Sequence, residues 1–312
     1  MLTRFKEKYI GDAAFYKRYL YLALPMILQN AITNLVSFLD NIMVGQLGTE
    51  QMSGVAIVNQ LIFVYNLAIF GAVSAASIFG AQYFGNGDHR GHMHSFRFKL
   101  YATLLVSGLT MLLLLTKGSD LISLYLTDTA GNGATDVALQ YGKQYLVIML
   151  VGLVPFAVNQ AYATNIKETG QTLVPMLASF VAVGTNAVLD YLLIFGVGPF
   201  PELGVTGAAL ATVIARYVEA VIVVFWAHRN REKNRYLEGA YRGFGIPVSE
   251  LKTILIKGLP LMFNEVLWAA GMTTVTQCYS VRGLDVVAGL NIATTITNLF
   301  NIVYIQLGAC IS

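Results

Sequence analysis

Asp40 and Asp190 stand inside runs of residues otherwise fit to dissolve in lipid, "NLVSFLDNIMV" and "TNAVLDYLLIFG". An ionised carboxylate at the centre of a membrane-spanning helix costs about 3 kcal/mol on insertion scales, which makes two of them facing lipid unfavourable. The pair must face each other, a cavity or a cation. Asn186 lies one turn before Asp190 on the same helical face. Asp40 is five residues before the turn "GQLG" and Asp190 six before "GVGPF", so at about 1.5 Å per residue both carboxylates reach a similar height. Thr212 is eight residues into an oppositely running segment that starts at Gly204, and Tyr145 lies near the same end of another. Five polar side chains thus share one layer. Na⁺ favours several oxygen ligands, whereas a proton needs one carboxylate kept protonatable by burial or by a second carboxylate. The layer offers both. The plainer alternative is that the aspartates only hydrogen-bond neighbouring helices, although such bonds average about 0.6 kcal/mol and offset little of the cost.

The elements that position these groups cross a membrane. Of 312 residues, 56% are hydrophobic and 12% charged, with a mean hydropathy of +0.61, which identifies a polytopic membrane protein. Spans of roughly 20 apolar residues are expected near 19–44, 52–82, 99–115, 144–165, 173–195, 204–228, 254–280 and 285–312. The runs are continuously apolar and lack the alternation of outer-membrane strands, so the expected fold class is all-α. With the N-terminus in the cytoplasm, sixteen of the twenty Lys and Arg residues fall on that side, the orientation the positive-inside rule requires. The formal charge of +3 is then an orientation signal and gives no reason to expect nucleic acid. The opening "MLTRFKEKYIGDAAFYKRYL" spreads its charges and has no cleavable signal pattern; it reads as a cytoplasmic lead-in. Cys278 and Cys310 both fall in spans and read as packing residues rather than a disulfide or metal framework.

Charged residues 229–249 separate a first lobe of six spans, residues 1–228, from residues 250–312, the first two helices of a second lobe. "LPMILQNAITNLVSFLDNIMVGQLG" lies against "LPLMFNEVLWAAGMTTVTQCYSVRG" without a gap, pairing Leu24 with Leu259, Pro25 with Pro260 and Gly48 with Gly283. An even number of intervening spans makes this a parallel repeat, an arrangement common in transporters. The repeat calls for four further helices, so the chain reads as truncated within the second lobe.

Other polar positions are less specific. Pro25 denies the Tyr21 carbonyl its usual donor and makes either a hinge or a static bend. Arg216 and Glu219, at i and i+3, are expected to neutralise each other. Glu265, near mid-membrane, serves either substrate contact or internal hydrogen bonding. His89, His92 and His94 in "GNGDHRGHMH" read as a solvated connection rather than a metal site.

Several stretches together carry a family resemblance: "LALPMILQNAITNLVSFLDNIMVGQLG", "AQYFGNGD", "KETGQTLVP", "TNAVLDYLLIFG" and "LGVTGAALATVIAR". The chain resembles the multidrug and toxic compound extrusion (MATE) transporters, prokaryotic branch, over essentially its whole length. The resemblance implies no enzyme but a twelve-helix exporter of two lobes in the bacterial cytoplasmic membrane, acting as a monomer by alternating access. It would expel amphipathic, usually cationic compounds in exchange for Na⁺ or H⁺, with no other cofactor. It also implies that Asp40, Asn186 and Asp190, with Thr212 and Tyr145, form the cation site, and that the first helix bends at Pro25. The branch with a second-lobe carboxylate carries its Glu eight residues after the helix proline; Glu265 is five after Pro260, so that role is not carried over. A lipid-linked oligosaccharide flippase of the same superfamily calls for a strongly basic cavity, and only Arg216 is embedded among the basic residues. An intramembrane aspartyl protease would use "GNGD", yet Asp88 sits beside "HRGHMHS", in water and far from Asp40. A simple channel fits the lobe repeat less well than a gated carrier.

Overall fold

The computed structural model describes residues 12–125, 134–242, 245–280 and, near the C-terminus, 297, 300, 301, 303–308 and 310. Helices α1 (Ala13–Gly45), α2 (Thr49–Gly85), α3 (His89–Tyr125), α4 (Ala134–Val151), α5 (Leu153–Glu168), α6 (Leu173–Phe195), α7 (Val205–Arg229) and α8 (Val248–Ser280) follow in order, with a 3₁₀ turn at Arg235–Leu237. No strand occurs among the described residues. Helices α1, α2, α3, α6 and α7 are each long and apolar enough to cross a membrane, and α4 with α5 supplies a sixth, bent span. The chain is an all-α, multi-pass membrane protein.

The fourth span departs from the single run expected over 144–165. It begins at Ala134 and bends by 44° between Val151 and Leu153. Pro155 has no N–H for the Val151 carbonyl, and Gly152 sits at the break without a side chain to fill it. Val213 and Arg216 of α7 pack into that space, 3.1 and 3.2 Å from where a Cβ on Gly152 would lie.

Helix α3 is 37 residues long, well beyond the expected 99–115. Its polar first turns are helical because the protein interior satisfies them. Lys99, fully buried, donates to Glu168 and, at 2.5 Å, to Asn165; His92 reaches the second oxygen of Glu168 at 3.3 Å. His94 meets Glu250 of α8 at 2.7 Å and His89 meets Arg235. The three histidines expected in a solvated loop therefore belong to one helix and point to three different partners. No cluster suited to a metal occurs among the described residues. Asp88 accepts from the Gly91 N–H at 3.0 Å, an ordinary helix cap.

Helix α6 ends where Gly196 turns left-handed at φ +64°; a Cβ there would lie 2.7 Å from the Glu202 nitrogen, so glycine is required. The chain returns along α6, with the Leu203 N–H on the Leu193 carbonyl at 2.8 Å, and α7 crosses at Gly207. A Cβ on Gly207 would lie 2.6 Å from the Leu193 oxygen. Gly207→Val should push α7 off α6 and lower stability by about 1–3 kcal/mol, read by thermal unfolding in detergent. Unchanged stability would mean the crossing is looser than this contact requires.

The charged segment after α7 packs as part of the first helical body. Arg97 of α3 donates to the carbonyls of Ala240 (2.8 Å), Gly245 (2.8 Å), Gly239 (2.7 Å) and Arg242 (3.2 Å). Tyr236 is buried against Phe96 and His92. Arg97→Gln should release this segment and raise tryptic cleavage after Arg242 by about tenfold, because four charge-assisted bonds are lost together; an unchanged digest would show the aromatic packing holds it alone. Beyond it, α8 repeats α1: both have 33 residues, with Pro25 and Pro260 each twelve residues after the first. Each helix continues through its proline.

Candidate functional site

Helix α1 lies along α6, and α6 along α7. Asp40 stands five residues before the last residue of α1, and Asp190 five before the last of α6, which sets the two carboxyl groups at one level. They lie within interaction range of each other, and Asn186 is within reach of Asp190. Asp190 is 0% exposed and Asn186 5%. Neither oxygen of Asp190, nor Oδ1 of Asp40, nor Nδ2 of Asn186 has a hydrogen-bond partner. No Lys, Arg or His closes an ion pair with either aspartate among the described residues. Two acidic groups thus converge in the membrane interior without a protein cation to offset them.

Tyr145 of α4 is buried beside this pair and feels the charges of Asp40, Asp190 and Arg216. Its hydroxyl donates to the Asn59 side chain of α2 at 3.3 Å. Thr212 is not hydrogen-bonded to the carboxylates. Its hydroxyl donates to the Ala208 carbonyl of its own helix at 3.0 Å, which leaves oxygen lone pairs but no donor for the layer. Asn59 is the member missed in the sequence; the signal is an Asn inside the apolar stretch "VAIVNQLIFV".

The pairing expected between Arg216 and Glu219 is not formed. Arg216 donates to the Gly152 carbonyl at 3.4 Å, at the α4–α5 bend, and lies over the Phe156 ring at 5.2 Å. Glu219 accepts from Ser179, which in turn accepts from Gln29 at 2.7 Å, so a polar chain links α1, α6 and α7. Both charges find better partners across helices than along their own. Pro25 is buried within α1. Helix α8 includes Glu265 in its backbone, while the Glu265 and Cys278 side chains lie outside the described residues. Cys310 is a free thiol lying 3.5 Å from the Met26 sulfur.

The arrangement fits a small cation. Asp40 and Asp190 carry formal charge, and Asn186 and Tyr145 beside them carry neutral oxygens, donors of the hard kind that Na⁺ takes. The same two carboxyl groups can share a proton, because both cannot stay ionised at close range without a counter-charge. The MatE family profile matches residues 25–192, which include Asp40, Tyr145, Asn186 and Asp190. The chain belongs to the MatE family.

Curated relatives of this MatE chain include two proteins named probable multidrug resistance protein NorM. The one from Thermotoga maritima is 27% identical over 285 residues, covering 91% of this chain and 59% of its own length. The one from Rhizobium meliloti is 29% identical over 244 residues, covering 76% of this chain and 50% of its own. The chain thus spans about half to three fifths of the length of these relatives. A crystal structure described as MATE in the bent conformation superposes with a TM-score of 0.81 at 23% identity, over 95% of this chain and 63% of that one. Another, described as MATE in the straight conformation, gives 0.80 at 23% identity, over 94% and 63%. A MOP superfamily transporter from Pyrococcus furiosus gives 0.76 at 22% identity, over 94% and 62%. These likenesses establish the MATE fold.

Proposed function

We propose that the complete protein is a cation-coupled exporter of amphipathic, cationic compounds, working by alternating access in the bacterial inner membrane with its N-terminus in the cytoplasm. The observation that carries the reading is the convergence of Asp40 and Asp190 in the membrane interior, with no ion pair to a protein cation among the described residues. Asp40, Asp190 and Asn186 hold the coupling ion, with Tyr145 and Thr212 completing its oxygen shell. An ion there is bound tightly only while α1 lies against α6, so its arrival and release bias the position of α1. Pro25, inside α1, is the point at which that helix bends; related MATE structures are described as bent and as straight. Glu265, on the repeat of α1, contacts the substrate. The family names of the relatives support drug-like cargo. A flippase would use a free basic cavity, whereas Arg216 is already engaged by Gly152 and Phe156.

The test is dye efflux from proteoliposomes containing the full-length protein, with a Na⁺ gradient and a pH gradient imposed separately. One gradient should drive efflux and so name the ion. Folded protein that moves no cationic dye under either gradient would sink the antiporter reading and turn attention to lipid-linked substrates.

A further inference from the structure

At the end of the bundle where α2, α5 and α7 finish and α3 begins, a cleft of about 330 Å³ opens between Phe84, His89, Gln171, Lys233, Arg235 and Tyr236. It lies in a different part of the fold from Asp40 and Asp190. Nearby buried cations are satisfied: Lys99 by Glu168, and Arg97 by four carbonyls. The basic groups lining the cleft, Lys233 and Arg235, are instead exposed. The Arg235 guanidinium turns to His89, another nitrogen base, at 3.5 Å. Among the described residues no carboxylate closes an ion pair with Arg235 or Lys233. Glu232 is the one acid on the wall, against two permanent cations. Tyr236 backs the cleft from the buried side, packed on His92 and Phe96. Two exposed cations therefore line the cleft against a single carboxylate.

We infer that this cleft binds a phosphate-bearing anion, either the headgroup of an anionic lipid or a small soluble phosphate ester. Arg235 presents the planar fork that matches two phosphate oxygens, and Lys233 adds a point charge. His89 and the Gln171 amide can supply further N–H donors. A bare phosphate would leave much of the cleft empty. The partly exposed Phe84 ring along the wall suits the carbon part of a glycerol ester. An occupant would bridge the start of α3 to residues 232–236, and so fasten the segment that leads to α8.

Binding is tested on the purified protein in phosphatidylcholine nanodiscs at constant ionic strength by titrating inorganic phosphate, glycerol 3-phosphate and short-chain phosphatidylglycerol. Saturable binding is expected for at least one of the three. The double variant Lys233→Gln/Arg235→Gln should weaken it about tenfold or more. Lys252→Gln, an exposed cation on α8, should leave it unchanged. Binding by the lipid alone assigns the headgroup as the source; equal binding by the free phosphates assigns a soluble anion. No saturable binding of any probe, or equal weakening by Lys252→Gln, overturns the assignment.

Discussion

Asp190→Asn is expected to reduce gradient-driven efflux to the passive leak while leaving the protein folded. The substitution keeps the shape of the side chain and removes one of the two charges that face each other between α1 and α6. A bond to a charged ligand contributes about 1.5–3 kcal/mol, so cation affinity should fall roughly ten- to hundredfold from the loss of this carboxylate. Asp40→Asn should do the same. Stability should hold or rise, because Asp190 has no partner to lose and a neutral amide is easier to keep in the membrane than an unpaired carboxylate. Efflux and its gradient dependence in proteoliposomes, beside thermal unfolding in detergent, separate the two effects. A variant that loses efflux because it no longer folds would leave Asp190 a structural residue.

Lys99→Met is expected to produce the largest loss of stability. Lys99 is 0% exposed and its ammonium group is held by Glu168 and Asn165. Removing it leaves Glu168 buried beside Gly80, where no side chain fits between the two helices, with only the His92 ring to meet its charge. Breaking such a pair from one side costs about 3–5 kcal/mol. Lys99→Met combined with Glu168→Gln should recover more than half of that loss, since the stranded charge is then gone and His92 keeps a hydrogen-bond partner. Thermal unfolding and monodisperse yield after extraction report both. If the double variant is as unstable as Lys99→Met alone, the cost lies in packing rather than charge.

What could be read from the residues alone was set by lipid. Span length and the height of Asp40 and Asp190 follow from helix rise and apolar run length, which is why the expected fifth span, 173–195, matches α6 and why the two carboxylates meet. The proline-marked repeat was equally legible, since α1 and α8 share both length and proline position. Features that depend on another helix were not. His92 and Arg97 look like solvated charges, and Lys99 like the edge of the expected span 99–115, until Glu168, Asn165 and the carbonyls of 239–245 are placed beside them. Arg216 and Glu219 look paired along one helix because only the i, i+3 spacing is visible in the sequence, whereas the break brings the Gly152 carbonyl, which also accepts from the Phe156 N–H, within reach of Arg216. That break itself was written in "VGLVP", but an apolar run conceals it. Height alone places Thr212, and height cannot reveal that its proton goes to the Ala208 carbonyl and leaves only its oxygen to offer.

The most direct test is infrared difference spectroscopy of the protonated-carboxyl band of the purified protein, recorded as Na⁺ or pH is varied, in wild type, Asp40→Asn and Asp190→Asn. A cation site at this pair requires a wild-type carboxyl signal that disappears on Na⁺ addition if the ion is sodium, or with pH alone if it is the proton, and that is lost in both variants. The same signal persisting unchanged in both variants would place the titrating carboxyl elsewhere and contradict the site.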